Sequence, residues 1–274
     1  MATFQTRDGT NIYVKDWGTT GPVVVLIHGW PLDADMWDYQ AVPLAEAGCR
    51  VIAYDRRGFG RSDQPWSGYD YDTLADDLKD LLDWADVDDV TLVGFSMGGG
   101  EVARYVGKYG HSRVKKAVFV AAVVPFMLET DDNPEGVDGD VFEDMKDGLR
   151  EDRAAFLADF ALDFYGVSDE DDAVSDEVLM WTNTVAMMAS AKATLDCVDS
   201  FSKTDFREDL KAFQLETLVI HGTDDKTVPI EVSAHRALDL LPNATLKEYD
   251  GAPHGLFITH KDELTEDLLA FIRG

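Results

Sequence analysis

At 274 residues and 45% hydrophobic, the chain can bury one large core with room for an insertion. Its 53 acidic residues against 24 basic ones give a formal charge of −29, which argues against a nucleic-acid partner, whose phosphates need a basic face, and against anionic membranes. No basic segment followed by an apolar stretch opens the chain, and the longest apolar run, Val118 to Leu128, falls short of the about 20 residues that span a bilayer. A soluble, cytoplasmic protein is therefore expected.

Cys49 and Cys197 have neither disulfide-framework nor zinc-ligand spacing and read as buried free thiols. The acid clusters Asp86-Val87-Asp88-Asp89 and Asp169-Glu170-Asp171-Asp172 read as solvated surface. Over the whole chain the excess suggests a protein working in high salt, where counterions screen the repulsion. A melting series in KCl tests that hypothesis, and unchanged stability up to molar salt removes it.

In chain order, Phe4 to Thr6 and Asn11 to Trp17 alternate apolar and polar residues around Asp8-Gly9, a hairpin signal. Val23 to Ile27 and Val51 to Tyr54 are continuous apolar runs, as in strands buried on both faces of a parallel sheet. Between them a helix is predicted from Asp35 to Ala47, closed by Gly48. There follow a helix from Thr73 to Ala85, a strand from Val90, a helix after Ser96 and a strand from Ala117 to Ala122. Residues 125–213 lack a clear strand and carry Met, Phe and Trp at helical spacing, which predicts a helical cap inserted in a core of residues 1–124 and 214–274. The alternation resumes with Leu218-Val219-Ile220, a helix from Ile230 to Leu240, a strand from Ala244 to Tyr249 and a helix from Lys261 to Ile272. The fold class is α/β with a mostly parallel sheet.

Gly94-Phe95-Ser96-Met97-Gly98 matches Gly-x-Ser-x-Gly between a predicted strand and helix, the context of a nucleophile elbow. The glycines leave room for a strained serine whose hydroxyl sits at a helix N-terminus. No Gly-Lys-Ser/Thr or Gly-x-Gly-x-x-Gly supports a nucleotide loop here. A serine needs a base and an orienting acid, in the chain order Ser, Asp, His. His254, in a turn-rich loop after the last strand, is the candidate base. His28 and His221 read as structural turn residues, and His111, His235 and His260 as solvated. In Gly222-Thr223-Asp224-Asp225-Lys226-Thr227-Val228-Pro229 the spacing favours Asp225 as the acid, with Asp224 facing water or the turn backbone. The loop after the first central strand, His28-Gly29-Trp30-Pro31, offers the Trp30 amide as an oxyanion donor beside that of Met97. Pro31 fixes its own φ and stiffens this wall. The arginines of Asp55 to Ser62 read as members of a structural loop with internal ion pairs.

With these residues the chain resembles the α/β-hydrolase superfamily from end to end, and more narrowly the cofactor-free haloperoxidases, or perhydrolases, and their relatives the aryl esterases. The resemblance rests on His28-Gly29-Trp30-Pro31-Leu32, Tyr54 to Ser62, Gly94 to Tyr105 and Ala252-Pro253-His254-Gly255. In the cap it rests on Asp152-Arg153 with Phe156, Lys192 to Cys197 and Thr204-Asp205-Phe206. It implies an α/β-hydrolase fold with an eight-stranded sheet, the triad Ser96, Asp225 and His254, and an oxyanion hole from Trp30 and Met97. It also implies a small apolar pocket lined by Val123, Met127, Met145, Phe160, Phe164, Thr227 and Ile230, with Pro31 leaning the site toward perhydrolysis. An acyl-enzyme would be released by water or by hydrogen peroxide, with no cofactor and no metal; the partners are a small ester or carboxylic acid and peroxide, and a homo-oligomer is left open. Dehalogenases and epoxide hydrolases share the fold but need aspartate at the elbow. Lactonase, thioesterase and non-catalytic receptor readings remain alternatives.

Overall fold

The computed structural model describes residues 2–18, 20–168 and 173–274, so the cluster Asp169 to Asp172 lies outside the described residues. Eight strands form one sheet in the order β1-β2-β4-β3-β5-β6-β7-β8. The predicted hairpin pairs β1 (Ala2–Gln5) with β2 (Asn11–Trp17), and β2 runs antiparallel to β4 (Arg50–Tyr54). The other neighbours, β3 (Val23–Ile27), β5 (Val90–Phe95), β6 (Val114–Val120), β7 (Glu216–Gly222) and β8 (Ala244–Tyr249), continue the sheet in parallel.

The central strands are apolar at nearly every position because both faces are covered. Val25, Ile27 and Leu92 enter one cluster with α2 (Tyr71–Ala85) and α3 (Met97–Tyr109). Val24, Leu26 and Val93 enter a second with α1 (Asp38–Glu46) and α10 (Lys261–Arg273). The edge strand β8 instead exposes Thr245, Lys247 and Glu248, as an edge with one wet face does. Cys49 and Cys197 are buried and unbridged, and Asp86, Asp88 and Asp89 are exposed.

Three predicted elements shift. The helix expected from Asp35 opens instead as a 3₁₀ turn, Ala34–Trp37, because the Asp33 carboxylate accepts the Asp35 N–H at 2.9 Å; α1 follows it. The strand expected over Ala117 to Ala122 ends at Val120, since Ala121 takes φ +47°. The helix expected from Ile230 contracts to α8 (Ala234–Leu238). There the Ser233 hydroxyl donates to the Pro229 carbonyl at 2.7 Å and the Val232 amide to the same oxygen at 3.2 Å, holding that segment in turns.

Between β6 and β7 come α4 (Gly139–Tyr165), α5 (Asp176–Met188), α6 (Ala191–Lys203) and α7 (Arg207–Lys211). This stretch also carries the isolated bridges Leu128–Val137 and Thr130–Asn133. Helix α4 breaks at Asp152 (φ −148°, ψ 89°), whose carboxylate accepts from the Ala154 and Ala155 amides at 3.1 and 3.0 Å and so starts a second arm. Serines cap α5 and α6. Among the described residues no helix is long and apolar enough to cross a membrane.

Candidate active site

Ser96 joins β5 to α3 with φ +52° and ψ −119°, a conformation that costs a non-glycine residue about 1–3 kcal/mol. Its neighbours over-determine it. The Ser96 amide donates to the Val120 carbonyl at 2.9 Å, and its carbonyl accepts the Gly99 amide at 3.0 Å. A Cβ at Gly94 would meet the Gly98 carbonyl oxygen at 2.5 Å, and one at Gly98 would meet that of Ile27 at 2.5 Å. The glycines of the motif are thus there for close backbone approach, as the sequence implied.

The Ser96 hydroxyl donates to His254 Nε2 at 3.0 Å, and His254 Nδ1–H donates to Asp225 Oδ2 at 2.6 Å. His254 lies in the loop after β8 and Asp225 in the loop after β7, so both reach Ser96 from the same carboxyl edge of the sheet. The other Asp225 oxygen accepts the Thr227 and Val228 amides at 3.0 and 2.8 Å. Burial alone would push this carboxyl up, but the electrostatic pull of the adjacent His254 and the imidazole N–H groups of His221 and His254 outweigh it and hold the carboxyl well below the usual carboxylate range. An ionised Asp225 only accepts, which places a proton on His254 Nδ1 and leaves Nε2 free to receive one. Asp224 is exposed on the same loop.

Among the described residues, the Trp30 and Met97 amides have no protein acceptor. Met97 is the first residue of α3, where helix geometry leaves N–H groups unpaired. The direction of the Trp30 amide follows from peptide planarity, since that N–H shares a peptide unit with the Gly29 carbonyl and points opposite to it. Two donors hold the Gly29 oxygen, His28 Nδ1–H at 2.9 Å and the Leu32 amide at 3.1 Å. His28 Nε2 accepts the Arg56 amide at 2.9 Å. Burial and the Arg56 charge keep the His28 pKa well below the ordinary histidine value, so the ring stays neutral and these two bonds set its tautomer. Arg56 also donates to the His28 carbonyl at 2.6 Å and pairs with the buried Glu101 of α3, whose other oxygen takes the Tyr54 hydroxyl at 2.5 Å.

The remaining arginines of this loop are structural, as expected, although their acids extend beyond it. Arg61 pairs with Asp55 at 2.7 Å, and Arg57 holds the buried Asp77 of α2 through two 2.6 Å bonds. His111 and His235 are exposed, and His260 is half-buried at the start of α10.

Ser96 and His254 open onto an apolar cavity of about 530 Å³. Of the predicted lining, Val123, Met127, Met145, Phe160 and Thr227 are on its wall. Phe164, Ile230 and Pro31 are not. The Phe164 ring packs edge-on against His254 at 4.9 Å and backs the imidazole. Ile230 is buried in the apolar cluster shared with α2 and α3. Pro31 is buried, and its neighbour Trp30 is on the wall in its place. The sequence reading placed one residue from each arm of α4 on this wall, Met145 and Phe160, and missed their neighbours Val141 and Phe142 of the first arm and Phe156 of the second. The four-residue spacing of Phe156, Phe160 and Phe164 carries that signal. Two exposed acids of the second arm, Asp159 and Asp163, and the exposed Lys226 stand on the same wall. Among the described residues no group of three or more His, Cys, Asp or Glu is placed to hold a metal ion.

Residues 22–261 match the model of the alpha/beta hydrolase fold family. The chain is 47% identical to a non-heme chloroperoxidase of Streptomyces lividans, with all of both chains covered. It is 42% identical to a bifunctional esterase/perhydrolase of Acinetobacter calcoaceticus, again over all of both chains. Among solved structures, a bromoperoxidase from Bacillus anthracis superposes with a TM-score of 0.95 at 48% identity over the whole of each chain. An esterase from Exiguobacterium antarcticum superposes with a TM-score of 0.94 at 32% identity over 99% of each.

Proposed function

The chain belongs to the α/β-hydrolase fold family, and within it we propose that it is a serine carboxyl-ester hydrolase working through an acyl-enzyme on Ser96, with perhydrolase activity when hydrogen peroxide is supplied. The observation that carries this reading is the hydrogen-bond chain from Ser96 Oγ through His254 to Asp225, at 3.0 and 2.6 Å, opening on an apolar cavity.

In the proposed reaction, Ser96 Oγ attacks the ester carbonyl as His254 Nε2 takes the hydroxyl proton. The Trp30 and Met97 amides receive the oxyanion; loss of one such donor costs about 3–4 kcal/mol in the barrier. The tetrahedral species collapses, His254 returns the proton to the leaving alcohol, and the acyl group stays on Ser96. Water then attacks the acyl-enzyme, again losing its proton to His254, and the carboxylic acid leaves as Ser96 recovers its hydrogen. Hydrogen peroxide in the place of water gives the peracid, which oxidises halide in solution. Relatives named for both activities support the second branch. The helices between β6 and β7 act in this reading as a cap, and the apolar wall favours neutral esters.

The test is a panel of p-nitrophenyl esters of increasing acyl length, run with and without peroxide on the protein and on Ser96→Ala. The variant is expected to lose activity by roughly 10⁴-fold or more. Retained turnover would defeat the assignment.

A further inference from the structure

Resting on that reading, we infer that His221 is a positioning residue for the acid: a buried imidazole whose single N–H clamps the loop that carries Asp225 and steadies the carboxylate oxygen facing His254. His221 lies at the end of β7, one residue before Gly222, and is fully buried. Its Nε2 is 2.8 Å from the Val228 carbonyl oxygen and 3.2 Å from Asp225 Oδ2. Both neighbours are acceptors, so Nε2 carries the proton. Its Nδ1 is buried and, among the described residues, has no partner. A second proton there would be a buried donor with no acceptor, so the ring donates from Nε2 alone.

This one N–H acts on the turn that presents the acid. The Val228 amide holds Asp225 Oδ1 at 2.8 Å, while the Val228 carbonyl is held by His221. Residues 225–228 are thereby closed from both ends of Val228. The approach to Oδ2 gives that oxygen a neighbour independent of His254, which bonds it at 2.6 Å. Without His221, Oδ2 would depend on the very imidazole it has to orient, and the carboxylate would follow each movement of that ring during turnover. The backbone around this point is pinned too. The Thr223 amide donates to the Tyr249 carbonyl at 3.0 Å and the Asp224 amide to that of Ala252 at 3.1 Å, which joins the acid loop to the His254 loop. Displacement of the acid therefore stays local, and its cost falls on the chemical step.

Three variants of the full chain test this. His221→Phe keeps a ring and removes the donor; His221→Gln keeps an N–H near the Nε2 position; His221→Asn keeps an amide too short to reach it. Expected are a drop in kcat of about 10- to 100-fold for Phe and Asn, with KM within twofold, and recovery by Gln to within about threefold of the parent. Rates are normalised to the folded fraction by circular dichroism. The inference is overturned if Phe and Asn keep full kcat, if Gln falls as far as they do, if KM rises at constant kcat, or if no His221 variant folds. If His221→Phe does not fold, the Asn and Gln pair carries the comparison. Ser96→Ala is run alongside: an active Ser96→Ala sinks the ester-hydrolase reading itself, whereas an inactive one beside a fully active His221→Asn sinks only this inference.

Discussion

The carboxyl edge of the sheet and the helices between β6 and β7 build the same cavity by different means. At the sheet edge the proposed catalytic groups are held by polar, directional bonds: Asp225 by two amides, His254 by Asp225, and the Gly29–Trp30 peptide by His28. The α4 wall presents Val141, Phe142, Met145, Phe156 and Phe160, with the exposed Asp159 and Asp163 beside them, and in the proposed reading the five apolar side chains grip a substrate by contact area. Directional bonds fix atoms to fractions of an ångström and tolerate few replacements, whereas packed side chains set volume and accept substitution. In the proposed reading chemistry belongs to the edge and selection to the helices, and each prediction below strikes one side of that contrast.

The largest effect is expected from Asp225→Asn. The amide donates toward His254 Nδ1, moves the proton to Nε2 and removes the base, so kcat should fall roughly 10⁴-fold with KM little changed. A pH series of melting temperatures reads the same substitution as stability. Because the folded protein holds the Asp225 carboxyl below its ordinary value, its contribution is complete above about pH 4 and is lost as pH falls through the depressed value. The gap in melting temperature between parent and variant should stay constant from pH 8 to pH 5 and close on further acidification. A gap that widens in acid would break the electrostatic half of the argument.

Next comes Glu101→Leu, which leaves the Arg56 guanidinium buried without its carboxylate. A loss of about 3–5 kcal/mol in urea unfolding is expected. Loss of activity in the fraction still folded should accompany it, because Arg56 holds the His28 carbonyl and, through its amide, the His28 ring. Full activity per folded molecule would separate the buried pair from the oxyanion loop.

The smallest effect is expected on the helical side. Met145→Ala enlarges the wall, and kcat/KM for an octanoyl ester relative to an acetyl ester should rise by ~3- to 10-fold while acetyl turnover changes less than threefold. A 100-fold loss on the acetyl ester would mean that this wall takes part in the chemistry, and the division would fail.

The same division explains what was legible in the amino-acid sequence. The strands, the elbow at Ser96 and the order Ser, Asp, His are short-range patterns, because glycines, strand ends and turn residues act within a few positions of the atoms they constrain. Pocket membership is a long-range property. Phe160 and Phe164 have the same residue type one helical turn apart, yet one faces the cavity and the other backs His254; the position of the second arm of α4, set by the break at Asp152, decides which. The retreat of the helix expected from Ile230 depends on one serine hydroxyl finding the Pro229 carbonyl. His221 read as a turn residue, and only its placement four residues before Asp225, with the loop folded back on itself, brings its ring to the acid.

Trp30 belongs to both territories. Its amide is the proposed oxyanion donor; its indole Nε1–H is bonded to the Thr194 carbonyl of α6 at 3.1 Å, and its ring lies edge-on to Phe160 and Phe201. One residue thus acts as a lever between roof and hearth. A guest bulky enough to pry α6 outward would tug the donor off its mark, so oversized esters should bind and then react slowly, with the discrimination written into turnover rather than affinity.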